Sequence, residues 1–270
     1  MTDERPISLV TGAAGGLGRV ISGALMRDGH RLVALDVAER PLAELTSNLT
    51  SQGYDPSDVM TVLADLRDET AIAAAVAAVG ERWGRLDHVV HNAGIEPPHK
   101  ASSVTVEIWD ETFAINTRAG ALLVKHTAPF WEAQQGGTFI AIGSRTWLSG
   151  SSTGAYGASK AALVGLMRSI AVELGPIGVR ANVVAPGFVR SPLNASKGDS
   201  AYVEEYAREF SDLAPLRRLI EPIDVAEAVA FLVSPGARNI TGDVINVAGG
   251  MHIPPTVRWP KTRRHGLTDR

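Results

Sequence analysis

Between Gly143 and Lys160 the chain reads GSRTWLSGSSTGAYGASK, which places five serine hydroxyls, one phenol and one amine in a short stretch. Tyr156 and Lys160 are four residues apart, so on a helix both project from one face and the ammonium lies near the phenol. A phenol in that setting can take and give a proton. Its ordinary pKa near ~10 has to fall by about 2 to 3 units for a phenolate to act at neutral pH, roughly 3 to 4 kcal/mol of stabilisation. Ser144 follows directly on the apolar run TFIAIG, so a strand ending there sets a hydroxyl beside the pair, whereas Ser149, Ser151 and Ser152 belong to the following loop and Ser159 to the helical turn of the tyrosine. Taken alone, a Y-x-x-x-K pair is an ordinary exposed helix pair of little consequence. Its meaning depends on what else the fold brings to it.

A second constellation lies near the N-terminus. ISLVTGAAGGLGRVISGAL is an apolar run, a glycine-rich turn and an amphipathic segment, with Gly12, Gly16 and Gly18 spaced G-x-x-x-G-x-G. Glycine permits the tight turn and the close approach of backbone to a pyrophosphate, and the positive end of the following helix favours that anion. The next apolar run, RLVALD, ends on Asp36, about 20 residues past the turn, where a carboxylate accepts hydrogen bonds from both ribose hydroxyls of an adenosine and repels a 2′-phosphate. This favours NAD over NADP. Arg40 is the dissenting residue, since an arginine there can hold a phosphate, but its spacing fits a solvated helix position, and position 15 in the turn is glycine rather than basic.

These groups need a scaffold. Short apolar runs at residues 7–10, 31–35, 59–63, 86–91, 137–142, 179–184 and 243–247 alternate with amphipathic segments such as LGRVISGALMRDG and TAIAAAVAAVGERWG. Strands apolar on both faces and separated by helices predict an α/β fold, a Rossmann-type doubly wound parallel sheet of about seven strands with helices on both faces. No Pro/Ser/Gly linker interrupts the rhythm, so residues 1–270 read as a single domain with a core of about 6–250, a polar irregular segment at 192–218 and a tail at 251–270.

Composition narrows the chemistry. The 270 residues are 45% hydrophobic with a net charge of −3, giving no basic excess for nucleic acid, and the absence of cysteine excludes disulfides, thiolate metal sites and a cysteine nucleophile. The seven histidines form no H-E-x-x-H pattern, and His88 and His91 point to opposite faces of a strand, so no metal is expected. No apolar run reaches the length of a membrane span and MTDERPISLV lacks the features of a signal peptide, so a cytoplasmic protein without membrane contact is expected.

With the turn TGAAGGLG (Thr11 to Gly18), ADL (Ala64 to Leu66), HNAG (His91 to Gly94), Asn116 within FAIN, Ser144, YGASK, NVVAPGFVRS (Asn182 to Ser191) and ITGDVINVAGG (Ile240 to Gly250) in this order, the chain resembles a short-chain dehydrogenase/reductase over about residues 6–250. The resemblance implies an oxidoreductase that interconverts a secondary alcohol and a ketone by hydride transfer, with Asn116, Ser144, Tyr156 and Lys160 catalytic. Tyr156 is then the general acid/base and Ser144 holds the substrate oxygen. Lys160 binds the nicotinamide ribose, and Asn116 holds a water linking Lys160 to solvent. The resemblance also implies cofactor contacts from Thr11, Gly12, Gly16, Leu17 and Gly18, from Asp65 and Leu66 beside the adenine, and from Asn92, Ala93 and Gly94. Pro186, Gly187, Val189 and Ser191 would border the nicotinamide. Homotetramers are the usual state in the family, so a homotetramer or homodimer is expected, with Trp259 of the tail crossing to a neighbouring subunit as one reading of residues 251–270.

Departures from the family pattern are His91 in place of a frequent asparagine, Ile220 in place of glycine and Ala248 in place of aspartate. All three bear on local packing rather than proton chemistry. Ser144 also lies one residue closer to Tyr156 than the family usually places its serine, with Gly143 at the usual count, which reads as a one-residue shortening of the intervening loop. Substrate choice is assigned to the loops at 95–100, 145–151 and 192–218. Glu96 faces the substrate, Trp147 offers a flat wall, and Arg145 or Arg190 holds an anionic group. Two rival functions share these features, an NADPH-dependent ketone or 3-oxoacyl reductase, opposed by Asp36, and a non-catalytic cofactor-sensing scaffold, opposed by the complete set of four catalytic residues.

Overall fold

The computed structural model describes residues 5–189 and 200–253. Seven parallel strands form one sheet in the order β3-β2-β1-β4-β5-β6-β7, with β1 Ile7–Thr11, β2 Arg31–Asp36, β3 Val59–Leu63, β4 His88–His91, β5 Gly137–Ile142, β6 Val179–Pro186 and β7 Val244–Val247. The connections carry α1 Gly16–Arg27, α2 Glu39–Ser51, α3 Glu69–Trp83, α4 Val106–Phe113, α5 Ala119–Gln134, α6 Thr146–Ser149, α7 Gly154–Leu174, α8 Ser200–Leu213 and α9 Pro222–Val233. The α/β sheet expected from the apolar rhythm is present. The strands shift by only a residue or two from their expected limits, β4 starting at His88, although Asp87 before it already donates to the Ile7 carbonyl at 3.0 Å and accepts the Thr138 N–H at 2.9 Å.

Alternation along each strand divides the core into two layers. Leu9, Leu35, Val89, Phe139, Ala141 and Val183 pack on one face with Ile72 and Val79 of α3, Leu123 and Trp131 of α5 and Leu163 and Met167 of α7. Val10, Leu32, Ala34, Val90, Ile140 and Val184 pack on the other face with Ile21 and Leu25 of α1, Leu42 and Leu45 of α2 and Val225 and Val229 of α9. Both faces are covered, as an all-parallel sheet requires. His91 shares a face with Val89 and His88 with Val90, so the two histidines do point apart.

Helix ends explain several boundaries. Asp68 caps α3 by accepting from the Thr70 N–H at 2.8 Å, Gly84 ends it with φ of +72°, and Thr105 caps α4 through the Ile108 N–H at 3.3 Å. Between α4 and α5 the residues Ala114–Arg118 form a π turn, which interrupts the regular hydrogen-bond ladder at Asn116.

The segment 192–218 requires a correction. It is not irregular throughout, since its residues Ser200–Leu213 form α8, whose Ala207 and Phe210 bury against Phe188 in a small third cluster. The charged surface positions of SAYVEEYAREFSDL hid its apolar spacing. Arg190, Ser191 and the tail beyond Ile253, including Trp259, lie outside the described residues.

Candidate active site

The sheet order makes β1 and β4 neighbours, while the connections leaving them run to opposite sides, and this switch point opens a crevice at the carboxyl ends of the strands. The glycine turn forms its upper edge. Gly12 has φ of +61°, and a β-carbon there would lie 2.9 Å from the Ala93 Cα. A β-carbon on Gly18 would lie 2.0 Å from the Gly12 carbonyl oxygen, so α1 can meet the turn this closely only with glycine.

Asp36 is fixed at the end of β2. One carboxylate oxygen accepts the Ala14 N–H at 3.0 Å and the other the Ala38 N–H at 3.1 Å. Arg19 is committed elsewhere, donating to the Ala14 carbonyl at 2.7 Å, the Pro41 carbonyl at 3.1 Å and Glu44 at 3.2 Å. Arg40 points into solvent and pairs with Glu44 at 3.1 Å, as its helix position suggested.

A cavity of about 460 Å³ runs from this edge to Tyr156. Of the residues assigned to a cofactor, Gly12, Gly16, Leu17, Gly18, Asp36, Asp65, Leu66, Asn92, Ala93, Gly94, Tyr156, Lys160, Pro186, Gly187 and Val189 line it, and Ser144 lines it too. Thr11 is buried beneath the floor, where its hydroxyl oxygen accepts the N–H groups of Asn92 and Ala93, each at 3.1 Å. Asn92 ties the floor to the turn by donating to the carbonyls of Thr11 and Gly12, both at 3.0 Å.

At the far end, Ser144, Tyr156 and Lys160 converge. Gly143 donates to the Val184 carbonyl at 2.8 Å and Arg145 to the Pro186 carbonyl at 3.0 Å, so the chain keeps pairing with β6 past the end of β5. A β-carbon on residue 143 would lie 2.5 Å from the Val183 side chain. That contact decides the serine register, because position 143 has no room for a side chain and position 144 faces the crevice. The Ser144 hydroxyl reaches the Tyr156 phenol, whereas Ser149 bonds Arg145 and Ser151 bonds Thr153.

Burial pushes the Tyr156 phenol up to about 12, the nearby Glu96 carboxylate adds to the rise and the Ser144 hydrogen bond opposes it. Lys160 is itself buried, which lowers its ammonium to about 8 against the raising charge of Glu96, and its Nζ donates to the Ile142 carbonyl at 2.8 Å while lying 5.7 Å from the centroid of the Tyr156 ring. Desolvation of the phenol outweighs the Ser144 hydrogen bond and sets the direction of the shift.

Asn116 is fully buried behind the cavity. Its side chain accepts the Ile95 N–H at 2.8 Å and donates to the Ile95 carbonyl and the Ser159 hydroxyl, both at 3.0 Å. Gly94 is the space between it and Lys160, since a β-carbon there would lie 3.2 Å from Lys160 Nζ and 3.3 Å from Asn116 Oδ1.

Three residues assigned to substrate do not line the cavity. Glu96 accepts from the Thr153 hydroxyl at 2.7 Å, and in the same loop His99 Nε2 accepts the Ala155 N–H at 3.1 Å, so the 95–100 loop caps the helix that carries Tyr156. The Arg145 guanidinium stacks over Phe210 of α8 at 4.8 Å and donates to the Ser149 hydroxyl at 3.0 Å. Trp147 packs against the core below α7.

Sequence reasoning missed Arg67 and Glu111, which line the adenine end. Arg67 bridges Asp65 at 2.6 Å and Glu111 at 2.9 Å, and its hydrogen bonds hold the Asp65 carboxyl below the usual carboxylate range. Arg67 adjoins the ADL motif and so could have been suspected. Glu111 gives no signal, because only the packing of α4 brings it there. Ile115 and Val37 also line the cavity and were missed, although each lies beside a residue that was assigned, and Ile95, at the start of the 95–100 loop assigned to substrate choice, lines it too.

Comparison with known proteins agrees with this geometry. A family model described as enoyl-(acyl carrier protein) reductase matches residues 12–252. The chain is a short-chain dehydrogenase/reductase. As an oxidoreductase of this family it is 32% identical over 255 residues to oxidoreductase UcpA of Escherichia coli strain K12, covering 93% of this chain and 95% of that one. It superposes on the crystal structure of levodione reductase with a TM-score of 0.88 at 31% identity, covering 93% of this chain and 98% of the other. It also superposes on a 3-ketoacyl-(acyl-carrier-protein) reductase from Brucella melitensis complexed with NADH, with a TM-score of 0.82 at 28% identity and coverage of 92% and 98%. Among the described residues no helix is long and apolar enough to cross a membrane.

Proposed function

We propose that this short-chain dehydrogenase/reductase uses NAD to interconvert a secondary alcohol and a ketone, with Tyr156 as the proton-transferring group. The observation that carries the cofactor choice is Asp36, whose carboxylate lies at the cavity edge with both nearby arginines, Arg19 and Arg40, already paired to Glu44. Among the described residues a 2′-phosphate would meet a negative charge there with no uncommitted arginine beside it, whereas two ribose hydroxyls would find an acceptor. The glycine turn suits a pyrophosphate, since Gly12 and Gly18 leave no room for a β-carbon and the N-terminus of α1 opens onto the cavity.

When bound, the nicotinamide would accept the hydride from the carbinol carbon, or return it to the carbonyl carbon. The chain supplies the proton step at Tyr156. In carbonyl reduction its phenol, protonated at neutral pH because of its raised pKa, gives its proton to the oxygen that Ser144 holds. In alcohol oxidation the phenol must first be ionised, and the Lys160 ammonium stabilises the phenolate, which then takes the hydroxyl proton. Asn116, anchored on Ile95 and Ser159, would hold the water through which Lys160 exchanges protons with solvent.

A second reading, reduction of an acyl ketone with NADPH, draws support from the relationship to the ketoacyl reductase and uses the same residues. One screen separates the two. Near-ultraviolet absorbance of the reduced nicotinamide is followed with NAD and NADP against secondary alcohols, and with NADH and NADPH against cyclic and acyl ketones, each repeated with Tyr156→Phe. Turnover with NAD and NADH that is lost in the variant supports the first reading, and turnover confined to NADPH and acyl ketones replaces it with the second.

A further inference from the structure

His91, at a position where the family pattern frequently has asparagine, stands at the centre of a buried polar relay. It ends β4 directly opposite Thr11 of β1 and is 1% exposed. Its Nδ1 lies 3.2 Å from the Thr11 hydroxyl oxygen and its Nε2 lies 3.2 Å from the backbone carbonyl of Asn116.

Both ring nitrogens have hydrogen-bonding neighbours, and the ring also meets the Ile115 backbone. The Thr11 oxygen already accepts two N–H groups, from Asn92 and Ala93, so its own hydrogen remains to be donated, and Nδ1 is its acceptor. A neutral imidazole with a bare Nδ1 carries its proton on Nε2, which then donates to the Asn116 carbonyl. That carbonyl belongs to the π turn, where the regular ladder is broken and an outside donor can fix the backbone. Burial, reinforced by the Lys160 charge, lowers the ring to about 4 and keeps it neutral. Its seat is shaped by Gly120, where a β-carbon would lie 3.3 Å from the ring.

The two ends of the relay serve different parts of the site. Thr11 holds Asn92 and Ala93, which line the cofactor cavity, and the Asn116 side chain reaches Ser159, whose hydroxyl donates to the Tyr156 carbonyl at 2.8 Å. We propose that His91 is a positioning residue which, in its Nε2-protonated tautomer, aligns the cofactor floor through Thr11 and the Asn116 carbonyl through its other nitrogen. The second half of the proposal rests on the assignment of Asn116 to the proton path.

Three substitutions separate the ends. In His91→Gln the amide nitrogen stands near the position of Nε2 and can still donate to Asn116. In His91→Asn the amide oxygen stands near Nδ1 and can still accept from Thr11, and His91→Leu keeps neither bond. Loss of one buried hydrogen bond is expected to cost about tenfold in the property it supports. Thus His91→Leu loses about tenfold in both kcat and NADH affinity measured by fluorescence titration, His91→Gln recovers kcat, and His91→Asn recovers NADH affinity.

Nitrogen-15 NMR of the protein without cofactor should show a protonated Nε2 and a bare Nδ1 at His91 that do not change between about pH 8 and about pH 6, two units above the buried value. A proton on Nδ1, or three variants whose kcat and NADH affinity fall together in proportion to their thermal midpoints, would overturn the proposal. If no alcohol or ketone is turned over, the functional reading fails separately, and the NMR and NADH titrations still decide the positioning role.

Discussion

Acid sensitivity of the fold offers a quantitative test of the buried histidines. His91 is lowered to about 4 by burial and by Lys160, against 6.5 in the unfolded chain. The unfolded state therefore binds more protons throughout this interval, and stability is full above the unfolded value and falls as the pH drops from about 6.5 towards about 4. At about pH 5 the unfolded ring is nearly all protonated and the folded ring about one-tenth so, a difference of roughly 0.9 proton. The local slope is then about 1.2 kcal/mol per pH unit, and the accumulated loss from His91 alone is about 2 kcal/mol. His88, lowered to about 3 chiefly by burial, and His30, lowered for the same reason, act in the same direction. Carboxylates held low by exposed partners, such as Asp65 and Glu69, lose their contribution only below about pH 4.5, so the two effects separate on the pH axis. The assay is urea unfolding at fixed protein concentration from about pH 7.5 to about pH 4.5, for the wild type and for His91→Gln, which carries no titrating ring. The wild-type slope near pH 5 should exceed that of the variant by about 0.9 proton. Equal slopes, or a wild-type stability that stays flat across the window, would refute the buried-neutral assignment.

Three further outcomes follow from the geometry. Tyr156→Phe should lower kcat by about 10² to 10⁴-fold while NADH affinity, measured by fluorescence titration, changes little, since the ring still fills its place and only the proton donor is lost. Gly18→Ala should weaken NADH binding by at least about tenfold, because its β-carbon would stand 2.0 Å from the Gly12 carbonyl and the turn must open; unchanged affinity in the same titration would contradict the close packing of α1 on the turn. Trp131→Ala should destabilise the protein by about 3–5 kcal/mol in urea unfolding, because this fully buried ring packs edge-on to Phe139 with centroids 6.4 Å apart and fills the space that Gly137 leaves open.

Much of this molecule follows from local pattern. Alternating apolar runs and amphipathic segments define a parallel sheet covered on both faces, because strands without polar faces cannot lie against water. Glycine spacing, Asp36 and the Tyr156–Lys160 pair place the main residues of the crevice, because they lie in turns and helix faces whose geometry is set over a few residues. The serine register was legible in the same way, but its cause was not. The strand end after TFIAIG points to Ser144 although the usual count falls on Gly143, and the Val183 side chain pressing on Gly143 gives the physical reason. Tertiary packing alone decides α8, whose apolar face is defined by Phe188 from a distant strand end, and Glu111, carried to the adenine end by α4. The sign of the Tyr156 shift and the partners of His91 belong to this second group. Charges and hydrogen bonds can be listed from sequence, but their desolvation and the atom each nitrogen meets depend on elements many residues apart, and those the fold alone brings together.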